Sequence, residues 1–136
     1  MTKTIAGIAL ACSLAAGPAF AHHAPASLGT VRLTQAVIAG DTTLQPGTYE
    51  IRDAGEHVAP LPGQSDDAQT VIEFVVNGMV VARDVAEVTP SKTVPVGTSG
   101  SSARPIVQML KGGDFMRISK SQNGERYLIH LRVAGH

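Results

Sequence analysis

Apolar residues recur at every second position through most of this chain. That period belongs to half-buried extended strands and leaves helices no amphipathic face to build on. Val31, Leu33, Gln35 and Val37 fall on one side of such a strand, with Arg32, Thr34 and Ala36 on the other. Tyr49 and Ile51 alternate with Thr48, Glu50 and Arg52. Ile72, Phe74 and Val76 oppose Val71, Glu73 and Val75. Asn77-Gly78 follows at once, before a second β-rich run from Met79 to Val88. Both residues of such a pair tolerate the positive φ of a type I′ turn, so the pattern predicts a hairpin. Residues 81–88 also fit a short helix, but Val80, Val81, Val85 and Val88 favour strand.

The last third repeats the design. Ile106 to Leu110 reads as a strand, 111–114 as a turn and Phe115 to Ser119 as the returning strand. Asn123-Gly124 marks the next turn. Arg126 to Val133 closes a three-stranded meander, with Tyr127, Ile129, Leu131 and Val133 inward and Arg126, His130 and Arg132 outward. Between the first two strands, Pro46-Gly47 suits the centre of a type II turn, where proline sets φ and glycine accepts a positive one. Residues 54–69 and 89–105, rich in Gly, Pro, Ser and Asp, read as loops. About seven short strands with regular turns predict an all-β domain, a single antiparallel β-sandwich or small β-barrel. Alternation alone does not separate the two.

The first 21 residues carry a different signal. Lys3 precedes an apolar run from Ile5 to Ala16, broken by Gly17-Pro18 and followed by Ala19-Phe20-Ala21. Charge, short apolar stretch and small-x-small site in that order predict a cleavable signal peptide. A run of about a dozen residues is too short for a bilayer that needs roughly 20, and no later segment approaches that length. Cys12 loosely fits a lipidation box, but Ala9 stands where a large aliphatic residue is usual. The expected division is a signal peptide over 1–21, a flexible arm over 22–30 and the β-domain over 31–136. The expected location is the periplasm or the cell exterior.

Cleavage removes the only cysteine, so the domain would rely on its core without a disulfide. The 115 residues after Ala21 suffice for one core and are short for two domains. Basic and acidic residues number 11 each in the whole chain, with no basic run, which speaks against nucleic acid as a partner. Tyr49, Phe74, Phe115 and Tyr127 are the only aromatic residues after Ala21, too few for a core and a stacking platform together.

The segment Thr43-Leu44-Gln45-Pro46-Gly47-Thr48-Tyr49-Glu50-Ile51 resembles a turn, T-L-x-x-G-T-Y-x-[IV], of small exported bacterial β-proteins of uncharacterised role. Asn77-Gly78-Met79-Val80-Val81-Ala82 is similar to their central hairpin. The resemblance covers about half of the chain after the leader. It implies the β fold and carries no activity, cofactor or site residue.

Chemistry is sparse. Cleavage after Ala21 would expose His22-His23-Ala24-Pro25, whose α-amine and first imidazole form a chelate suited to Cu(II). Candidate further ligands are His23, His57, His130 and the terminal His136, with Asp66 or Asp67 as oxygen donors. The plainer reading leaves His22 and His23 as the start of a loose arm. Gly97-Thr98-Ser99-Gly100-Ser101 fails as a nucleophile elbow, because Ser101 stands where glycine is required. No P-loop, HExxH or cysteine pair occurs. The expectation is a non-enzymatic exported β-domain without a cofactor, a binding or structural module. The alternative is a periplasmic copper-binding protein built on His22. A protein partner could add to an exposed sheet edge, with the Val-rich hairpin at 71–88 as the place to look.

Overall fold

The computed structural model describes residues 25–90 and 104–135. The predicted signal peptide, His22, His23, His136 and most of the expected 89–105 loop lie outside the described residues. Among the described residues nine strands and no helix follow in order: β1 (Ala26–Leu33), β2 (Val37–Ala39), β3 (Thr42–Leu44), β4 (Gly47–His57), β5 (Gln69–Val76), β6 (Met79–Pro90), β7 (Ile106–Met109), β8 (Phe115–Gln122) and β9 (Glu125–Val133). Among the described residues no helix is long and apolar enough to cross a membrane.

All strands join one antiparallel sheet. Its main path runs β1-β4-β5-β6-β9-β8-β7. One edge of β9 pairs with β8 along its whole length, from Glu125↔Gln122 to Arg132↔Phe115. Its other edge is shared. Glu125–Leu128 pair with β6 at Glu87–Pro90, whereas Arg132 and Val133 pair with β2. β6 and β9 therefore diverge beyond Leu128, and the β2–β3 hairpin occupies the gap. Its turn glycine, Gly40, sits so close to the Arg83 carbonyl of β6 that a Cβ there would overlap it.

The expected sandwich or closed barrel of about seven strands is thus corrected to a single open sheet of nine. Cα atoms of β1 and β7 come within 8 Å, but no ladder joins them. Beside it, Gln122 Nε2 of β8 donates to the Ser27 carbonyl of β1 at 3.3 Å. Every strand except β7 contributes buried apolar side chains to one continuous core, and Val107 of β7 packs against it. Phe74, Leu28, Leu33, Ile51, Ile72 and Leu131 are among its fully buried members. Each such side chain contributes about 1.5–3 kcal/mol of burial. Tyr49 meets Phe74 edge to face, with ring centroids 6.4 Å apart.

Several local expectations change. Ala26 to Thr30, expected within the flexible arm, belong to β1, which pairs with β4. The alternating run 31–37 is two strands, since the chain bends after Leu33 and leaves Gln35 exposed. Gly47 does not adopt positive φ. It opens β4 opposite Leu33, and the pairing holds it extended. The preceding turn is closed instead by Tyr49, whose hydroxyl donates to the Gln45 carbonyl at 2.7 Å. β4 continues to His57, four residues into the expected loop. Within the hairpin at 71–88, β5 lies between β4 and β6, whereas β6 has a second ladder, with β9, only at Glu87–Pro90; the β2–β3 hairpin approaches the rest of that side without a ladder among the described residues.

The outer face explains a buried charge. Glu73 is only 5 % exposed although it points away from the core. Arg52 and Arg83 are its direct cross-strand neighbours, and Arg83 Nη2 donates to Glu73 Oε1 at 2.6 Å. A buried carboxylate needs such a partner, because an unpaired one costs several kcal/mol, on the order of the desolvation penalty per ion.

Candidate functional site

A cleft of 390 Å³ opens at the end of the sheet where β4, β5, β6 and β9 meet. Asp53 and His57 come from the end of β4, Thr70 from the start of β5, and Glu125 and Tyr127 from β9. Asp67, in the loop before β5, and Ala26, the first residue of β1, complete its rim. The backbone prepares this place. Asp53 Oδ1 accepts the Gly55 amide at 2.9 Å, an Asx turn that holds Gly55 at φ 70°. The β4–β5 register slips between Asp53 and His57 as a result. Bulges of this kind re-aim side chains at sheet ends.

Thr70 is 1 % exposed, and its hydroxyl donates to Asp53 Oδ1 at 2.7 Å. The Glu56 carbonyl at 3.2 Å is the longer alternative for the same proton. The Tyr127 hydroxyl donates to Glu125 Oε2 at 3.1 Å. Burial, then the negative charge of Asp53, then the bond to Glu125 hold the Tyr127 phenol well above its ordinary pKa. At neutral pH it is therefore a donor and neither a base nor a nucleophile. The cleft gathers three carboxylates and one imidazole with no Lys or Arg among its lining residues. Its field favours positive charge, and its volume suits a small molecule.

Of the ligand candidates read from the sequence, His57 and Asp67 line this cleft. His130 does not. It lies on the outer face of β9, opposite Arg117 of β8. Asp66 is exposed and outside the lining. Among the described residues no three His, Cys, Asp or Glu side chains form a group able to hold a metal ion. Four lining residues with polar side chains escaped the sequence reading: Asp53, Thr70, Glu125 and Tyr127. The Asp53-Ala54-Gly55 spacing was the one local signal, since an Asx turn places glycine there. No known protein family, curated protein or solved structure matches the chain.

Proposed function

We propose that the chain is an exported, non-enzymatic binding module that takes a small polar cation in the acidic cleft. One observation carries the reading: Asp53, Asp67 and Glu125 share a cleft that no Lys or Arg lines. Catalysis is disfavoured by how the polar groups are engaged. Thr70 and the Gly55 amide both donate to Asp53 Oδ1, and Tyr127 keeps its proton. Export to the periplasm or beyond is supported by Lys3, the 5–16 apolar run and Ala19-Phe20-Ala21. The resemblance around Thr43–Ile51 supports the same class. The test is an amide NMR titration of the mature protein with putrescine. Saturable shifts at Gly55, His57, Thr70 and Tyr127, weakened at least tenfold in a Glu125→Gln, Asp67→Asn double variant, are expected. Diffuse, non-saturating shifts would end the cleft reading, and specific turnover of any substrate would end the non-enzymatic one.

A second reading, a copper-binding protein, is favoured by the position of Ala26. It lines the cleft beside His57 and stands four residues after His22 in sequence. Four residues reach at most about 14 Å. The amine and imidazole of His22 would supply two ligands and His57 a third. Mass spectrometry of the exported protein must find His22 first. Cu(II) must then bind at one equivalent and raise the melting temperature, both lost in His22→Ala.

A further inference from the structure

Arginines on the outer face of the sheet fall into two groups. On β4 to β6 they are taken up by acids. Arg52 holds Glu50 at 3.0 Å, and Arg83 holds Glu73 at 2.6 Å and Glu56 at 3.5 Å. On β8 and β9 the pattern differs. The β9 side chains that alternate with the buried Tyr127, Ile129 and Leu131 are Arg126, Leu128, His130 and Arg132. β8 sets Ser121, Ser119, Arg117 and Phe115 directly opposite them. Arg117, Arg126 and Arg132 enter no ion pair among the described residues, and these include all 11 Asp and Glu of the chain. Glu87 of β6, cross-strand from Leu128, is the acid adjoining them in the ladder. Asp114, in the turn before Phe115, already has a partner.

Apolar side chains are interleaved with these guanidinium groups. Phe115, cross-strand from Arg132, is 45 % exposed. Ile106 of β7 shares the face, because its neighbour Val107 packs against the core, and it is 50 % exposed. Arg117 is steadied from the same strand, its Nη2 donating to Gln108 Oε1 at 2.8 Å. The stretch of β9 from Arg126 to Arg132 is about 20 Å long. Basic and acidic residues balance at 11 each over the whole chain, so attraction to a negative surface can only be local. A soluble polyanion would match the arginines and leave Phe115 and Ile106 in water. A bilayer matches both, since headgroup phosphates meet the guanidinium forks while aromatic and aliphatic side chains enter the interface.

We propose that the outer face of β7 to β9 docks on an anionic phospholipid surface, with Arg117, Arg126 and Arg132 against headgroup phosphates and Phe115 and Ile106 at the interface. This docking is independent of the acidic cleft, and either can fail alone.

The experiment sediments the exported protein with phosphatidylglycerol or phosphatidylcholine vesicles. Binding to phosphatidylglycerol alone is expected, weakening as salt rises. One arginine near such a surface is worth about fivefold in binding, so an Arg126→Gln, Arg132→Gln double variant should bind about 25-fold more weakly. Arg52→Gln removes one charge from β4, outside the face, and should cost less than about twofold. The chain contains no Trp, so Phe115→Trp introduces a single reporter whose emission should shift to the blue on phosphatidylglycerol. Equal binding to phosphatidylcholine, a loss per charge in Arg52→Gln equal to that of the double variant, or unshifted emission from the bound reporter overturns the proposal. So does binding to soluble polyphosphate without binding to vesicles.

Discussion

Replacing Thr70 with valine keeps the shape of a fully buried side chain and deletes one proton. That proton is shared at 2.7 Å with Asp53 Oδ1, at the centre of the acidic cleft. Valine fills the same volume, so no cavity opens, and the effect isolates the hydrogen bond. Bonds to a charged group are worth about 1.5–3 kcal/mol. Asp53 keeps the Gly55 amide as a donor, which places the expected loss near the lower half, about 2 kcal/mol. For a domain of this size that lowers Tm by roughly 9 °C. Urea unfolding should move the midpoint by about 1 M without changing the slope, since the surface exposed on unfolding is unaltered. A double-mutant cycle with Asp53→Ala should recover most of the loss as coupling. A loss below about 0.5 kcal/mol, or strictly additive effects, would show that Thr70 does not hold the carboxylate and that the cleft is not organised as described.

Gly40→Ala should destabilise more than Gly124→Ala. Both sites have positive φ, which costs about 1–2 kcal/mol for alanine, but only at Gly40 would the new Cβ overlap the Arg83 carbonyl; equal melting temperatures would refute the close approach of the β2–β3 hairpin to β6. In an ultraviolet titration, the Tyr127 phenol should ionise above the ordinary tyrosine range. A folded-state pKa raised in this way contributes stability below the unfolded pKa that is lost as pH climbs through the folded one. Tyr127→Phe should abolish the late-ionising component, and an ordinary pKa for Tyr127 would contradict its burial beside Asp53 and Glu125. The hydrogen bond from Arg52 lowers the Glu50 carboxyl. Its contribution is present above the unfolded pKa and fades as pH falls through the depressed folded value. Arg52→Gln should bring the Glu50 titration, read from carboxyl carbon shifts, back to the usual glutamate range.

Much of the local structure was legible in the chain itself. Asn77-Gly78 and Asn123-Gly124 both form positive-φ turns, with Asn77 at 51° and Asn123 at 52°. The inward set of β9, from Tyr127 to Val133, is buried as its alternation requires. These features depend on neighbouring residues: a turn needs only two tolerant backbones, and the face of a strand repeats every second side chain. Tertiary structure alone decided which strands became neighbours. It turned Gly47 from a turn centre into the first rung of β4, and it sheltered Glu73 between Arg52 and Arg83 from adjacent strands. It also drew Asp53, Thr70 and Tyr127, far apart in sequence, around one cleft. Strand order follows from how all the apolar faces can be covered at once. No short stretch of chain contains that global condition.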